Sequence, residues 1–309
     1  MKLQTTLKSL MHQHVLRDKP SVVVFSSPRG GSTWISELIA SLPGFWPVEE
    51  PFNLRKPVPA RELCLSSYAD LYAASNLDKV ESYYREVIAG RVPEFKLRPG
   101  QPHYRPITHR LVIKQNQALL NRIDWFEQTF GIKSVHLIRH PIAVALSREV
   151  FPLLPDFHRC ELREAFTAEQ LVLADRLIES GSHLEQGVLA WCLHHGPALW
   201  QSQSSWLLIS YEECVVRPDQ VLESLANFLN EPDAVERMRR NLSRPSKVMG
   251  KSDAETQEMV ASEEGRANIV SKWRKKVAPE EEAHLLGILR QFDLDTYVVD
   301  EDLPTIGRA

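Results

Sequence analysis

The sequence contains no run of about 18 apolar residues, and its N-terminal segment contains no apolar core of the length that a signal peptide needs. Its cysteines include no CxxC pair, which argues against a disulfide framework and favours a reducing compartment. We therefore expect a soluble cytoplasmic protein without a membrane span. We also expect all four cysteines to be small, buried hydrophobic residues: Cys64, Cys160, Cys192 and Cys214.

An excess of one charge is absent as well. The net charge of −3 and the pI near 6.4 give no overall attraction to nucleic acid or to acidic membranes. An anion site must therefore be a local concentration of Arg and Lys. With 309 residues, 43% of them hydrophobic, the chain can bury one sizeable core, and we expect a single domain over residues 1–309. The sequence is compatible with a homodimer but does not indicate one.

Short apolar runs, mostly followed by helical patterns, predict strands at residues 22–26, 111–114, 134–138 and 206–209. This alternation predicts an α/β fold with a central parallel sheet that is covered on both faces. Ligands bind at the carboxyl ends of such strands. The segment 52–108 is interpreted as an insertion with its own short helices. The polar segment 241–272 is interpreted either as a mobile flap or as a plain surface excursion.

The stretch Ser-Ser-Pro-Arg-Gly-Gly-Ser-Thr-Trp at residues 26–34 follows the first predicted strand and predicts an anion-binding turn before a helix. Its glycines let the backbone approach an anion, and Ser32 and Thr33 can cap the helix and offer hydroxyl groups. Nucleotide triphosphatase loops instead end in Gly-Lys-Ser/Thr, whose hydroxyl holds magnesium. Here the cation is Arg29, which precedes the glycines. This displacement favours a different anion and a site without metal.

A second candidate anion site follows the third predicted strand. Arg139 ends that strand and Pro141 opens a helix, predicted over residues 142–150, that carries Ser147. Because strand ends meet at one edge of a parallel sheet, Arg139 is expected beside the first loop. Alone, Arg139 would equally suit a surface ion pair. Together the two motifs predict a ligand with two separated phosphate-like groups.

These motifs resemble those of sulfotransferases that use 3′-phosphoadenosine 5′-phosphosulfate (PAPS) and release adenosine 3′,5′-bisphosphate (PAP). Residues 29–34 are similar to the family's 5′-phosphosulfate loop, and residues 139–147 are similar to its 3′-phosphate motif. Residues 209–213 resemble the segment whose tyrosine lies near the adenine, and residues 271–281 resemble the C-terminal Trp-Arg segment. The matched blocks follow the family's order from residue 21 to about 290.

The resemblance implies a P-loop-like, three-layer α/β/α fold with helical insertions, PAPS as co-substrate, and no metal. The residues that it assigns to cofactor binding are Arg29, Gly30, Gly31, Ser32, Thr33, Trp34, Arg139, Ser147, Tyr211, Lys272 and Arg274. Sulfuryl transfer builds negative charge on the bridging oxygen of the departing PAP, so a cation must face that oxygen. We expect Arg29 to be this catalytic cation.

The acceptor must also lose a proton. One branch of the family uses a His two residues after a Lys, but the equivalent position here is Asn116, which cannot act as a base. Another branch, with carbohydrate and some bacterial enzymes, uses the Glu of a Glu-Pro element, which Glu50 matches. Glu49 is the second choice, and the alternative is that both are solvated loop carboxylates. Lys114 and His109 are weaker candidates.

The sequence therefore predicts sulfuryl transfer from PAPS to a hydroxyl group, less readily to an amine, with Glu50 as the base. The Glu-Pro element leans towards a carbohydrate or glycolipid as the small-molecule or glycan acceptor. One alternative is a P-loop kinase-type phosphotransferase, which the missing Gly-Lys-Ser/Thr ending disfavours. The other is a nucleotide-binding protein that has this fold without catalysis.

Overall fold

A five-stranded sheet, parallel throughout, forms the centre of the structure, a computed structural model that describes residues 11–116, 118–201, 205–242 and 262–305. Its strands are β2 (Val22–Ser26), β3 (Phe45–Glu49), β5 (Arg110–Asn116), β6 (Lys133–Ile138) and β7 (Leu207–Ser210). Their spatial order is β3-β5-β2-β6-β7. A separate pair joins β1 (Gln13–His14) to β4 (Ile107–Thr108). The predicted α/β fold with a central parallel sheet is confirmed.

Helices cover both faces of this sheet. In chain order they are α1 (Ser32–Ala40), α2 (Pro57–Leu63), α3 (Leu77–Ile88), α4 (Ile123–Phe130), α5 (Pro141–Leu146), α6 (Ala168–Ser180), α7 (His183–Leu199), α8 (Tyr211–Val216), α9 (Pro218–Leu229), α10 (Ala234–Leu242), α11 (Glu263–Ser271) and α12 (Pro279–Gln291). The segment 52–108 contains α2, α3 and three short 3₁₀ turns, Tyr68–Leu71, Ala74–Asn76 and Pro93–Phe95.

The strands bury both faces because their side chains alternate between two cores. On β2, Val23 and Phe25 belong to one apolar cluster, whereas Val22 and Val24 belong to the other. Each of these four side chains is fully buried. A doubly covered parallel sheet of this kind leaves its strand ends as the place where polar side chains can meet.

The four predicted strands are present, but a fifth, β3, was missed. It contains Pro47, which lacks an amide hydrogen and weakens the strand signal. β3 lies at the edge of the sheet and pairs only with β5 among the strands of the central sheet, so the missing donor is tolerated there. This strand delivers Glu49 and Glu50 to the carboxyl end of the sheet.

Three further expectations need correction or restriction. The helix predicted over residues 142–150 is shorter, because α5 ends at Leu146 and Ser147 is its C-cap residue. Cys64 is exposed, in contrast to the three other cysteines, which are buried as expected. Of the predicted flap, residues 243–261 lie outside the described residues, whereas α11 and the following turn occupy its end.

Candidate active site

The anion loop connects β2 to α1 and depends on its glycines. A Cβ atom on Gly30 would lie 2.2 Å from Ser26 Oγ and 2.8 Å from the Ser27 carbonyl oxygen, so no larger residue fits. Gly31 has φ +96° and is the N-cap residue of α1, without a side-chain capping bond. The expectation that Ser32 or Thr33 caps this helix is therefore wrong.

The hydroxyl groups of the loop are instead turned towards β5. Ser32 Oγ donates to Asn116 Oδ1 at 3.0 Å, and Lys114 Nζ donates to Thr33 Oγ1 at 3.2 Å. Lys114 and Asn116 are two residues apart on one strand, so both side chains project from the same face of the sheet. Sequence reasoning gave these two residues little or no role, although this spacing could have indicated their convergence.

Glu50 lies on the other side of the same two side chains. Asn116 Nδ2 donates to Glu50 Oε1 at 2.9 Å, and Lys114 Nζ lies 3.4 Å from that oxygen. Asn53 Nδ2 donates to Glu50 Oε2 at 2.7 Å, and Lys56 Nζ lies 3.3 Å from it. The Glu50 backbone amide also donates to the Lys114 carbonyl at 2.8 Å. The carboxylate is thus fixed beside the anion loop.

The electrostatics of this cluster hold Glu50 ionised. Burial would raise the pKa of Glu50, whose side chain is 17% exposed, but the nearby Lys114, the Asn53 amide and Lys56 outweigh burial and lower that pKa to about 2. Glu49, in contrast, is 64% exposed and lies 4.0 Å from Lys114 Nζ. Of the two carboxylates, Glu50 is the one that the surrounding side chains orient.

A second group of predicted residues meets on the opposite side of the loop. Arg139 Nη1 donates to the Arg29 carbonyl oxygen at 2.9 Å, and the Arg139 guanidinium carbon lies 4.2 Å from the centroid of the Tyr211 ring. Tyr211 packs so closely on Gly31 that a Cβ atom there would lie 2.7 Å from Tyr211 Cδ2. The Trp34 and Tyr211 ring centroids are 6.5 Å apart. The two predicted anion motifs are therefore contiguous.

Two features of this group suit an anionic ligand. The side chain of Arg29 is exposed, and within the described residues it has no ion-pair partner. Arg139 Nε is buried and has no hydrogen-bond partner in the described part of the chain. Because a buried polar donor without a partner is costly, Arg139 is suited to bind an oxyanion, and the exposed guanidinium of Arg29 is open to one as well.

A buried carboxylate, Glu212, fixes the backbone next to Arg139. Glu212 Oε1 accepts from the backbone amide of His140 at 2.9 Å, and its Oε2 accepts from Tyr297 Oη at 3.0 Å. Burial raises the pKa of Glu212. The His140 ring stacks on Trp273 with centroids 4.2 Å apart. Sequence reasoning did not find this arrangement, because its members come from four segments that are far apart in the sequence.

The other predicted cofactor residues are not joined to this group by a described contact. Ser147 Oγ donates to the Val144 carbonyl oxygen at 2.9 Å, and Lys272 is exposed. Arg274 pairs with Glu282 and, at 3.0 Å, with Asp302. In this structure Arg274 is therefore engaged by carboxylates of the C-terminal region and is not open to a phosphate.

Among the described residues, no cluster of three or more His, Cys, Asp or Glu side chains is arranged to hold a metal ion. The same part of the chain contains no helix long and apolar enough to cross a membrane.

A family profile described as a sulfotransferase domain matches residues 19–291. The chain therefore belongs to the sulfotransferase family. A search of curated protein sequences found no significant match.

Solved structures similar to the chain include the sulfotransferase domain of the Synechococcus PCC 7002 olefin synthase, with 18% identity and a TM-score of 0.46 over 92% of this chain and 99% of that one. Another is mouse sulfotransferase SULT7A1 complexed with PAP, with 14% identity and a TM-score of 0.45 over 90% and 86%. A third is the sulfotransferase domain of the curacin biosynthetic pathway, with 19% identity and a TM-score of 0.45 over 90% and 99%.

Proposed function

We propose that this chain transfers the sulfuryl group of PAPS to a hydroxyl group, less readily to an amine, and releases PAP. Membership of the sulfotransferase family supports the reaction class. The observation that carries the finer proposal is the position of Glu50, which Asn116 and Lys114 connect to Ser32 and Thr33 of the anion loop. Because the same side chains hold Glu50 and the anion loop, Glu50 is suited to accept a proton next to the group that is transferred.

The residues of the loop suit the sulfate end of PAPS. In this proposal the backbone amides around Gly31 and the guanidinium of Arg29 face the phosphosulfate, and Arg29 stabilises the charge that develops on the bridging oxygen. Lys114, which contacts both Thr33 and Glu50, can also stabilise this negative charge. Charge-assisted hydrogen bonds of this kind contribute roughly 1.5 to 3 kcal/mol each.

The nucleotide end is assigned to the neighbouring group. Arg139 and Ser147 would bind the 3′-phosphate, and Tyr211 would contact the adenine. The buried Nε of Arg139 and the contact between Tyr211 and Gly31 support this assignment. Lys272 is exposed and remains a proposed contact of the 3′-phosphate. Arg274 can be a second contact of the 3′-phosphate only if the phosphate displaces its carboxylate partners, Glu282 and Asp302.

A pKa of about 2 makes Glu50 a weak base in the free protein, so the timing of proton transfer matters. As the acceptor oxygen bonds to sulfur it becomes positively charged while it still holds its proton, and it turns strongly acidic. Glu50 can then accept the proton although the pKa of its carboxyl group is low. This order of steps needs no deprotonation of the acceptor before transfer. In this proposal the chain belongs to the branch of the family with a Glu base.

The acceptor is proposed to be a carbohydrate or glycolipid hydroxyl, on the strength of the Glu50-Pro51 element. The reaction is proposed to take place in the cytoplasm. The cysteines support this, since none of those described forms a disulfide and three of the four are buried.

Binding and transfer measurements test the proposal. Calorimetry should show PAP binding more tightly than ATP or ADP, and labelled sulfate from PAPS should appear on members of an acceptor panel. Glu50→Gln should lower kcat by about 100-fold or more, since general base catalysis contributes roughly 10²–10⁴-fold. The exposed Glu49→Gln is the matched control and should retain activity.

Each alternative has its own outcome in this experiment. Magnesium-dependent turnover of ATP would indicate a phosphotransferase. PAP binding without transfer to any acceptor in the panel would indicate a non-catalytic nucleotide-binding protein. Full activity in Glu50→Gln would refute Glu50 as the base while leaving sulfuryl transfer intact.

A further inference from the structure

A cavity of about 330 Å³ lies at the end of the central sheet opposite to the candidate active site. Its lining includes Lys19, Gly44 and Arg110, which lie at or shortly before the first residues of β2, β3 and β5. Glu50 and the anion loop instead follow the last residues of β3 and β2. The length of β5 separates the two ends of the sheet by about 20 Å. The cavity is therefore distinct from the candidate active site.

The charged side chains that line this cavity are mainly cationic. Besides His109, four basic and two acidic residues contribute to the lining, namely Arg17, Lys19, Arg110, Arg237, Glu231 and Asp233. Glu231 Oε1 accepts from Lys19 Nζ and from Arg110 Nη1, in both cases at 2.8 Å. One carboxylate therefore faces two cations. The excess of positive charge in the cavity favours an anionic ligand.

Arg110 is the buried cation of this set. Its side chain is 4% exposed, its guanidinium carbon lies 4.2 Å from the centroid of the Phe45 ring, and its Nε donates to the Pro20 carbonyl oxygen at 2.9 Å. Its Nη2 is buried and has no hydrogen-bond partner in the part of the chain that the structure describes. Burying a guanidinium is costly unless its charge is well paired, and Glu231 is shared with Lys19. A further anion in the cavity would stabilise this arrangement.

Arg17 and Arg237 are the exposed arginines of the lining. Over the described ranges neither of them forms an ion pair with a carboxylate. Arg237 lies in the first turn of α10, and Ala234, the first residue of that helix, also lines the cavity. The amides at the N-terminus of α10 add partial positive charge, which the preceding Asp233 offsets in part. Mobile guanidinium groups and helix amides together suit a phosphate group.

We propose that this cavity binds a small phosphate monoester, at a site separate from the nucleotide site. A phosphate monoester carries close to two negative charges at neutral pH, which matches four basic against two acidic side chains. Small-molecule sites begin at about 300 Å³, so the volume suits a compact ligand. Its phosphate is bound by Arg17, Lys19 and Arg237, with the charge of Arg110 behind them. Since the ligand is remote from Glu50, it is neither the donor nor the acceptor of the sulfuryl group.

Titration calorimetry of the ligand-free protein tests this site at about pH 7.5, where a phosphate monoester is mostly a dianion. The probes are glycerol 3-phosphate, glycerate and glycerol, which share a three-carbon skeleton and differ in charge. Glycerol 3-phosphate should bind about tenfold or more tightly than glycerate, and glycerol should show no binding.

A second arm identifies the source of the phosphate. Vesicles of phosphatidic acid in phosphatidylcholine present the same group on a membrane, and vesicles of phosphatidylcholine alone are the control. Binding of glycerol 3-phosphate supports a soluble ester. Sedimentation with phosphatidic acid vesicles, without binding of glycerol 3-phosphate, supports a lipid headgroup in the same cavity if Arg237→Gln abolishes it.

Substitutions in the lining locate the bound phosphate. Arg17→Gln and Arg237→Gln should each weaken the binding of glycerol 3-phosphate by about tenfold. Both residues are exposed, so the melting temperature should stay unchanged. Asp233→Asn removes a negative charge and should tighten binding roughly threefold. Arg240→Gln is the matched control on α10, because Arg240 pairs with Glu236 and is not part of the lining.

The absence of binding in both arms would overturn the proposal. So would an affinity that is unchanged when Arg17→Gln and Arg237→Gln are combined. Loss of binding in Arg139→Gln, with no effect of the cavity substitutions, would assign the phosphate to the proposed nucleotide site and would also overturn it. PAP binding and sulfuryl transfer are separate measurements, so the proposed function can fail while this site is confirmed, and the reverse.

Discussion

Asn116 joins Glu50 to Ser32, because its amide nitrogen donates to Glu50 Oε1 at 2.9 Å while its amide oxygen accepts from Ser32 Oγ at 3.0 Å. The side chain is 7% exposed, and both hydrogen bonds lie within the cluster around the anion loop. Each bond fixes one end of the amide. Asn116 cannot accept a proton itself, but it sets the distance and direction of the carboxylate relative to the loop.

Asn116→Ala should therefore lower kcat by roughly tenfold to 100-fold while changing the PAP affinity much less. Removing the amide leaves Glu50 and Ser32 each without one buried partner, which costs about 1 to 3 kcal/mol. Steady-state kinetics and PAP calorimetry on the same protein measure the two effects. The neighbouring Lys114→Met variant, which keeps the amide, is the comparison. An unchanged kcat in Asn116→Ala would show that the bridge does not position the base.

The pH dependence of Lys114→Met should reveal how Glu50 is kept ionised. In the unsubstituted protein the pKa of Glu50 is about 2, so protonation of this group does not limit kcat/KM above about pH 4. Lys114 lowers that pKa, and its removal should raise it towards the usual value near 4.3. The acid limb of the kcat/KM profile should then move to higher pH. An acid limb that stays in place would contradict the assignment of Glu50.

Substituting Gly31 should disrupt nucleotide binding. Gly31→Ala meets two penalties, a positive φ of +96° and a Cβ atom 2.7 Å from Tyr211 Cδ2. Gly131→Ala is the matched control, since Gly131 also has a positive φ, of +61°, but no heavy atom lies within 4 Å of its added Cβ. Both changes should cost about 1 to 2 kcal/mol of backbone strain.

Calorimetry distinguishes these two glycine variants. Only Gly31→Ala should also weaken PAP binding, because Tyr211 must shift away from the loop and from Arg139. Thermal melting should show a loss of stability for both variants, and the larger loss for Gly31→Ala, whose Cβ atom also meets Tyr211. Equal PAP affinity in the two proteins would argue against Tyr211 as part of the nucleotide site.

Stability should fall on acidification because several histidines are buried as neutral rings. Burial, together with the nearby charge of Lys96, lowers the pKa of His12 to about 4, and burial, together with His109 and Lys96, lowers the pKa of His14 to about 4. A histidine whose pKa is lowered in the folded protein contributes its full stability above about pH 6.5, which is its pKa in the unfolded chain. That stability is lost as the pH falls towards about 4. The melting temperature should drop across that window.

His14→Gln tests this pH dependence. The variant should be less stable at neutral pH, where it loses the hydrogen bond between His14 Nδ1 and Thr108 Oγ1, but its melting temperature should change less between pH 6.5 and pH about 4. His158→Gln is the control, since that histidine is exposed and its described hydrogen bond is to the Pro155 carbonyl oxygen, so this variant should keep the slope of the unsubstituted protein. Equal slopes in all three proteins would show that His14 does not contribute.

Several elements were predictable from local patterns. The apolar run of β2, the Gly-Gly turn and the Arg that ends β6 are each specified within a few residues, and the sheet edge that they share follows from parallel topology. β3 was not predictable in the same way. Pro47 removes the strand signal, and only the pairing of Glu49 with Lys114 on β5 reveals its position.

The candidate site was likewise predictable only in part. Arg29, Arg139 and Tyr211 were expected near one another, and the structure places them in contact through the loop. The position of Asn116 between Glu50 and Ser32 was not predicted, since a lone amide carries no pattern of its own. It depends on partners that are 66 and 84 residues away in the sequence.

By itself the sequence determined the fold class, the family and the two anion motifs, because strands, turns and helix starts are encoded by neighbouring residues. Only the tertiary structure decided which side chains meet around the anion loop. It placed Asn116 between Glu50 and the loop and engaged Arg274 with carboxylates. Hydrogen bonds and ion pairs act over about 3 to 4 Å, so they depend on how distant segments pack.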